Sequence, residues 1–298
     1  MPREFDYFDP TSIPEAVEFL ERYGEEAKLL AGGQSLLPMM KLRLVSPRVL
    51  IDLWRIPDVA YIREQDGTIA IGAMATHYRL QSSEILQRKV PILAQAARVV
   101  GDPLVRNLGT IGGSVAHAAP NGDYPAVLVA LDAEIEIIGT RGTRRVPARD
   151  FFQDMFTTVL DPTEILKEVR IPVLSDDYTA TYLKLSRRGT DFAVVSVAVL
   201  VKKEEGGRCG DACVVLGGVG PVPVRARAAE DLLKGESITP KLIREAGAVA
   251  VEGLDPPSDV HGDSQYRVDV ARVYVRRALQ AAWGQSHPHP TLSLEGRG

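Results

Sequence analysis

Apolar residues recur along the first fifty residues at spacings that predict one helix and two strands. Ser12 and Glu15 have capping-box spacing, and apolar residues then follow at every third or fourth position until Gly24, which predicts a helix between them. The short apolar runs at 28–31 and 49–53 predict strands. The beginning of the chain should therefore fold as a small α/β unit whose first strand runs directly into a glycine-rich turn.

The rest of the chain predicts further strands and helices on both sides of a polar break at 175–177, where we expect a domain boundary. Before the break the pattern predicts strands at 68–73, 134–138 and 164–172 and a helix over 93–100. After it the pattern predicts a strand at 182–188, a half-buried strand on Val195, Val197, Val199 and Val201, a hairpin turn over 202–210, a strand at 213–219, and helices at 225–233, 239–251 and about 270–281. A chain of 298 residues with this α+β pattern suggests about two domains.

Composition and charge exclude several classes of function. A net charge of -4, without a long run of Lys or Arg, argues against a nucleic-acid or membrane-surface role. No apolar run reaches the roughly 18 residues of a membrane-spanning helix, and residues 1–10 lack the apolar region of a secretory signal, so we expect a cytoplasmic protein. Cys209 and Cys213 are too few to hold an iron–sulfur cluster on four cysteines of this chain, and we interpret both as unliganded thiols.

The small-residue tract at 109–123 is the strongest candidate for ligand binding. Its four glycines remove side chains and permit positive φ, so that successive N–H groups can converge on an anion. Thr110 and Ser114 add hydroxyl donors, and Asp123 can accept from a hydroxyl or an amide N–H. We therefore expect a loop that cradles a phosphorylated, hydroxylated ligand, and the alternative is a tightly packed turn.

A second glycine-rich turn, Gly32-Gly33-Gln34-Ser35, follows the predicted strand at 28–31. A strand that ends in such a turn is typical of half a pyrophosphate cradle, with main-chain N–H groups facing the anion. The chain has neither the glycine pattern of a Rossmann dinucleotide-binding motif nor a Walker A loop. Two separate glycine-rich loops could instead hold one dinucleotide from both sides.

Two motifs at this spacing are, as a pair, specific enough to indicate a family. The first is Ala31-Gly32-Gly33-Gln34-Ser35-Leu36-Leu37-Pro38, and the second is Thr110-Ile111-Gly112-Gly113-Ser114, followed by Asp123. The pair resembles the FAD-binding (medium) subunit of molybdenum hydroxylases, the xanthine dehydrogenase family, over nearly the whole chain. Within that family the closest likeness is to the medium subunits of aerobic carbon monoxide dehydrogenases. The resemblance implies an FAD-binding fold of the vanillyl-alcohol oxidase and p-cresol methylhydroxylase type, followed by a C-terminal domain of antiparallel sheet plus helices.

The resemblance also implies domain bounds and a set of cofactor-binding residues. The expected bounds are 1–55 and 56–176 for two FAD-binding subdomains, 177–284 for the C-terminal domain and 285–298 for a disordered tail. The residues expected to bind noncovalent FAD are Leu30, Ala31, Gly32, Gly33, Gln34, Ser35, Leu36, Gly109, Thr110, Gly112, Gly113, Ser114, Asp123, Leu166, Lys184 and Phe192. No catalytic or metal-binding residue is expected in this chain.

Three residues have an alternative interpretation from the residues alone, namely Leu166, Lys184 and His117. Leu166 is implied to contact the flavin ring system, but it could be one more core leucine. Lys184 is implied to reach the flavin, where a cation would raise its potential, but it could be a solvated strand lysine. Phe192 is implied to lie near the isoalloxazine ring, where related chains often carry a bulky side chain. His117 could be a base or a flavin anchor, and we interpret it instead as a cap or hydrogen-bond partner of the loop backbone.

The resemblance implies that the chain works as one subunit of a larger enzyme. A small subunit with [2Fe–2S] clusters would supply electrons, a large subunit with molybdopterin would hydroxylate the substrate, and a quinone, NAD or oxygen would accept the electrons. The usual assembly of the family is a dimer of heterotrimers. Two other functions stay open, a self-contained FAD-dependent alcohol or phenol oxidase and a non-catalytic nucleotide-binding scaffold. Benzoyl-CoA-type reductases are disfavoured because the chain lacks an insertion with four cysteines.

Overall fold

The structure, a computed structural model, describes residues 2–204 and 206–284. The described chain forms three larger sheets, each with its own helices, and a two-stranded ribbon. The tail expected to be disordered lies outside the described residues, and the expected domain bounds stay a prediction.

The first unit is a small parallel sheet with two helices. Its elements are β1 (Asp6–Phe8), α1 (Ile13–Tyr23), β2 (Ala27–Leu30), α2 (Leu36–Lys41) and β3 (Val49–Asp52), with a 3-10 turn at Gly24–Glu26. The strand order is β1-β3-β2, and both neighbours run parallel to β3. The predicted helix is confirmed with its cap, since the Ser12 hydroxyl accepts from the Glu15 N–H and Gly24 ends the helix at φ +52°.

The second unit is an antiparallel five-stranded sheet covered by helices. In chain order its elements are β4 (Ile62–Gln65), β5 (Thr68–Gly72), α3 (His77–Ser82), α4 (Glu84–Lys89), α5 (Pro91–Arg98), α6 (Pro103–Leu108), α7 (Ile111–His117), α8 (Asp123–Ala130), β6 (Glu134–Gly139), β7 (Gly142–Pro147), α9 (Ala148–Phe151), the ribbon β8 (Phe152–Asp154) and β9 (Thr157–Thr158), and β10 (Ile165–Pro172). The strand order is β4-β5-β10-β6-β7, so the last strand pairs in the middle of the sheet. All three strands and the helix predicted here are confirmed within a few residues.

The third unit is an antiparallel four-stranded sheet with three helices. Its elements are β11 (Tyr178–Leu185), β12 (Val195–Lys203), β13 (Cys209–Gly217), β14 (Val224–Arg225), α10 (Arg227–Leu233), α11 (Pro240–Val249) and α12 (Ser264–Trp283). The strands follow one another in space as in sequence. The predicted hairpin between β12 and β13 and the three predicted helices are confirmed, although α12 begins earlier than the apolar pattern indicated.

The prediction of a half-buried strand at β12 is wrong. Val197 and Val199 pack with the helices of the third unit, as predicted for the apolar face. Ala198 and Leu200, at the alternate positions, pack into the core of the second unit and are equally buried. The sheet is therefore covered on both faces, which joins the second and third units along their cores.

Candidate cofactor site

The two glycine-rich segments, far apart in sequence, lie against each other. A Cβ atom built on Gly32 would lie 2.6 Å from the Gly109 Cα atom and would overlap the Leu108 carbonyl oxygen. A Cβ atom on Gly113 would lie 3.5 Å from the Ala31 Cβ atom. Only residues without a side chain allow this close approach at Gly32, so the two segments form one continuous surface.

The first segment, residues 31–35, has the geometry of an anion nest. Gly33 has φ +68°, a conformation that favours glycine. Within the described chain, the N–H groups of Gly32, Gly33, Gln34 and Ser35 donate to no backbone or side-chain acceptor. These half-buried donors sit at the carboxyl end of β2, and the Ser35 hydroxyl makes no capping bond to α2. A row of free N–H groups of this kind binds phosphate oxygens.

The second segment is not the single loop that the sequence predicted. Residues Ile111–His117 form α7, capped by the Thr110 hydroxyl, which accepts from the Gly113 N–H at 3.1 Å. The N–H groups of Ile111 and Gly112 donate to the Ala75 and Ala73 carbonyl oxygens at 3.0 and 2.8 Å. The prediction of converging free N–H groups is therefore wrong for this segment. Its contribution to a ligand is a surface without side chains and the half-buried Ser114.

Gly112 serves the packing of α7 rather than a ligand. A Cβ atom on this residue would lie 2.5 Å from the Ala73 Cβ atom and 2.7 Å from the Ala73 carbonyl oxygen. Ala73 directly follows β5, so the close contact sets α7 against the end of this strand. The tight packing of the alternative interpretation is thus found at Gly112, but in a helix rather than in a turn.

A buried histidine that the sequence analysis missed supports the second segment. The backbone N–H of His77 donates to the Gly109 carbonyl oxygen at 2.9 Å, and the ring Nδ1 of His77 lies 2.8 Å from the Tyr124 hydroxyl. A Cβ atom on Gly109 would lie 2.7 Å from His77 Nε2. Burial, with a smaller effect from the Arg106 cation, lowers the pKa of His77 to about 4, so the ring is neutral at neutral pH. In sequence, a histidine after the capping Thr76 gave no signal of this role.

The buried His77 predicts a pH dependence of stability that a variant can isolate. Because the pKa of His77 in the folded protein is about 4, and lies near 6.5 in an unfolded chain, its stabilising contribution is complete above about pH 6.5 and is lost as the pH falls toward 4. We expect the free energy of unfolding of the wild type to fall by up to about 3 kcal/mol more over this range than that of His77→Gln. Urea unfolding at a series of pH values measures this difference. The partly buried His117 titrates in both proteins and cancels in the comparison. If the free energy of unfolding changed with pH in parallel in the two proteins, the prediction would be contradicted.

Asp123, Tyr182 and Lys184 form a buried polar cluster between the second and third units. Asp123 begins α8, and Tyr182 and Lys184 lie two residues apart on β11. The Tyr182 hydroxyl donates to Asp123 Oδ1 at 2.6 Å, and Lys184 Nζ donates to Asp123 Oδ2 and to the Val99 carbonyl oxygen at 3.0 Å each. The side chains of Lys184 and Asp123 are only 5% and 4% exposed.

Burial and mutual contact shift the pKa values of two members of this cluster, Asp123 and Tyr182. Burial raises the pKa of Asp123, while Lys184 and the Tyr182 hydrogen bond favour the carboxylate. Burial and the neighbouring Asp123 raise the pKa of Tyr182 well above its usual value, so its hydroxyl stays a donor. The alternative of a solvated lysine at 184 is wrong. Two of its three ammonium protons are donated to protein acceptors, and the third has no acceptor in the described part of the chain.

The other expected site residues range from the buried core to the exposed surface. Leu166 is 5% exposed and packs in the core of the second unit, as its alternative interpretation predicted. Phe192 is 55% exposed in the segment between β11 and β12. His117 packs against the Phe156 ring at 5.1 Å between ring centroids, rather than making the expected hydrogen bond to the loop. Leu30 and Leu36 flank the first segment as the last residue of β2 and the first of α2.

Trp54 is a second contact that the sequence analysis missed. Its indole Nε1 donates to the Ala31 carbonyl oxygen at 2.9 Å, and its backbone N–H donates to Asp52 Oδ1 at 2.9 Å. The side chain thus holds the start of the first segment in place from the end of β3.

Among residues 2–204 and 206–284, no group of three His, Cys, Asp or Glu side chains could hold a metal ion. Cys209 and Cys213 lie buried on β13, where burial raises their pKa values to about 11 and 12. Both are therefore protonated thiols at neutral pH. Nor does the described part of the chain contain a helix long and apolar enough to cross a bilayer.

The site fits a cofactor with a diphosphate bridge. The free N–H groups of residues 32–35 supply anion donors, and the glycine contacts keep a side-chain-free surface beside them. The buried cluster of Asp123 and Lys184 adds a charged region near the junction of the second and third units. Together the fold and the site define a protein whose glycine-rich segments bind a cofactor with a diphosphate bridge, followed by a C-terminal part of sheet and helices.

Comparison with known families agrees over both parts of the chain. Residues 3–174 match the family described as "FAD binding domain in molybdopterin dehydrogenase", and residues 180–282 match "CO dehydrogenase flavoprotein C-terminal domain". The chain therefore belongs to the FAD-binding subunits of the molybdopterin dehydrogenase family, which are components of oxidoreductases, and its cofactor is FAD.

Individual relatives cover the chain almost from end to end. It is 40% identical to the carbon monoxide dehydrogenase medium chain of Hydrogenophaga pseudoflava, over 96% of this chain and 99% of that one. It is 38% identical to the 6-hydroxypseudooxynicotine dehydrogenase complex subunit alpha of Paenarthrobacter nicotinovorans, over 96% and 97%. A solved structure of the Hydrogenophaga pseudoflava carbon monoxide dehydrogenase, which lacks the Mo-pyranopterin moiety of its cofactor, superposes with a TM-score of 0.93 at 41% identity, covering 96% of this chain and all of that chain.

Proposed function

We propose that the chain is the electron-transfer subunit of a molybdopterin-dependent hydroxylase. It takes electrons from a [2Fe–2S] small subunit and passes them to an external acceptor, a quinone, NAD or oxygen. The observation that supports this proposal is the mutual coverage of 96% and 99% with a carbon monoxide dehydrogenase medium chain. A chain with the same extent as a medium chain has the same two parts available for cofactor and partner binding.

The proposed roles of the site residues follow from their contacts. The N–H groups of residues 32–35 hold the diphosphate of FAD, and Trp54 keeps the Ala31 end of this segment in place. Gly109 and Gly113 let the cofactor approach the backbone closely, and Ser114 offers a hydroxyl. Bound FAD supplies reversible electron uptake, which the protein tunes by charge and hydrogen bonding.

The buried cluster is proposed to tune and orient the cofactor. Lys184 keeps one ammonium proton for the flavin side of the site, where a cation stabilises negative charge. Asp123 holds Lys184 and keeps acceptor capacity for a cofactor hydroxyl, since each carboxylate oxygen can accept more than one hydrogen bond. Leu166 and Phe192 are proposed to provide apolar contacts to the ring system. No residue of this chain is assigned an acid or base role.

The partners and the location belong to the same proposal. We expect a molybdopterin large subunit besides the small subunit, a dimer of heterotrimers, and a cytoplasmic location. The substrate is chosen at the molybdenum centre of the large subunit, outside this chain. In agreement, relatives at 40% and 38% identity bear the names of different substrates, carbon monoxide and 6-hydroxypseudooxynicotine.

Native purification of the affinity-tagged chain from its source cells tests the proposal. We expect FAD, iron and molybdenum to co-purify with two further polypeptides. In addition, the isolated FAD-loaded chain should keep its oxidised flavin spectrum when mixed without oxygen with alcohols or phenols, and lose it with a reduced [2Fe–2S] ferredoxin. Bleaching by an alcohol or phenol would favour a self-contained oxidase. A chain that co-purifies with the two polypeptides but never takes up FAD would favour a scaffold.

A further inference from the structure

Arg267 on α12 is a buried cation outside the two glycine-rich segments and the Asp123–Lys184 cluster. Its side chain is 4% exposed, and Nη2 donates to both carboxylate oxygens of Asp259 at 2.8 Å each. Nη1 donates to the carbonyl oxygens of Val194 and Gly218, the latter at 3.1 Å. The guanidinium thus joins an irregular segment before α12 to the start of β12 and the end of β13.

The two carbonyl groups lie where the third unit meets the turn before Asp123. The Gly218 N–H donates to the Pro120 carbonyl oxygen at 3.0 Å, and the Ala193 N–H donates to the Asn121 carbonyl oxygen at 3.3 Å. Gly218 has φ +77°, and a Cβ atom on it would lie 2.7 Å from the Val194 carbonyl oxygen. The two strand ends therefore touch, and Arg267 bridges them through their carbonyl groups.

Burying an arginine side chain removes its charge from water, so the ion pair that it forms adds little stability by itself. Replacing a buried ion pair by well-packed apolar residues is often neutral or stabilising. What a guanidinium provides that an apolar side chain does not is a fixed, planar set of donors to several acceptors at once. At this position the acceptors are the backbone groups next to the turn at 120–121 and to Phe192, which lies two residues before Val194.

We propose that Arg267, held by Asp259, is a positioning residue for the flavin site. It fixes the ends of β12 and β13 against the turn at 120–121, and so sets the places of Asp123 on one side and Phe192 on the other. The proposal rests on the proposed cofactor site, because Phe192 and Asp123 matter only if FAD binds there. Asp259 is the accessible member of the pair, since its side chain is 43% exposed.

Asp259→Asn tests the proposal, and Asp269→Asn on α12 is the control. The variant keeps the size of the side chain and removes the charge that holds Arg267. Asp269→Asn removes the charge from an exposed ion pair, Asp269 with Arg272 at 2.8 Å, whose side chains make no hydrogen bond to either strand end in the described chain. The readouts are the visible circular dichroism of bound FAD, its rate of dissociation and the thermal midpoint of each protein.

We expect Asp259→Asn to retain FAD but to change the flavin dichroism and to release FAD about tenfold faster, whereas Asp269→Asn should stay within about twofold of the wild type. Arg267→Lys keeps the charge but loses the planar set of donors, so it should behave like Asp259→Asn. This second variant tests the proposal if Asp259→Asn does not fold. Wild-type spectra and release rates in both variants would overturn this inference alone. A wild-type chain that takes up no FAD, even within its native complex, would overturn the proposed site as well.

Discussion

Gly32→Ala is expected to abolish FAD retention. The added methyl group would overlap the Leu108 carbonyl oxygen and lie 2.6 Å from the Gly109 Cα atom, and both are backbone atoms that cannot rotate away. The two glycine-rich segments would have to separate, which moves the free N–H groups of residues 32–35 away from the side-chain-free surface beside them. We expect the affinity for FAD to fall at least about a hundredfold, which corresponds to about 3 kcal/mol.

Equilibrium titration of the apo-protein with FAD, followed by flavin fluorescence, measures this loss. Gly220→Ala is the matched control, because a Cβ atom there would meet its nearest neighbour, a Val224 methyl group, at an ordinary 3.4 Å. The control should bind FAD like the wild type. If Gly32→Ala bound FAD as tightly as the control, the contact between the two segments would not form the cofactor site.

The largest expected effect on stability comes from separating Asp123 and Lys184. Each single variant, Asp123→Asn or Lys184→Met, leaves the other side chain buried without its partner at 3.0 Å. Removal of one member of a buried ion pair typically costs about 3–5 kcal/mol, because the remaining charge has lost its partner in a medium of low polarity. We expect losses of this size from Asp123→Asn, which leaves a cation, and somewhat smaller losses from Lys184→Met, where Tyr182 still donates to the carboxylate.

The double variant Asp123→Asn/Lys184→Met separates stability from cofactor binding. With both charges gone, the free energy of unfolding should recover by at least about 2 kcal/mol relative to the sum of the single losses. FAD affinity should stay low, because both proposed contacts are missing. Urea unfolding of the four proteins gives the coupling energy, and FAD titration gives the affinity.

An exposed pair provides the control for this cycle. Lys241 and Glu245 on α11 lie 3.7 Å apart, with side chains 79% and 49% exposed, and their coupling should be below about 0.5 kcal/mol. A coupling energy as small for Asp123 and Lys184 would mean that the buried pair does not hold the second and third units together. Recovery of FAD binding in the double variant would remove both residues from the cofactor site.

The sequence predicted best where the cause of a structure is local. The capping residue Ser12 and the terminal Gly24 define α1 through their own backbone and side-chain preferences, and the glycine-rich turn after β2 needs Gly33 at positive φ. Such signals lie within a few residues of the structure that they produce. The pairing of two such motifs was also enough to indicate the family.

The sequence failed where the cause is a contact between distant segments. Two adjacent glycines disfavour a helix by about 1 kcal/mol each, so α7 was not predicted, yet the fit of Gly112 against Ala73 and the Thr110 cap stabilise it. Lys184 and Asp123 are 61 positions apart, and no local pattern indicates that they form a buried pair. The same applies to His77 under Gly109 and to Arg267 behind Val194, which only the folded chain brings together.

The most direct test of the proposed cofactor site is the absorption spectrum of the purified chain and of its Gly32→Ala variant, each recorded before and after heat release of any chromophore. We predict flavin bands for the wild type with about one FAD per chain in the supernatant after heating, and none for the variant. A wild-type chain that is colourless and takes up no added FAD, or a variant that carries as much FAD as the wild type, would contradict the assignment of the two glycine-rich segments to FAD.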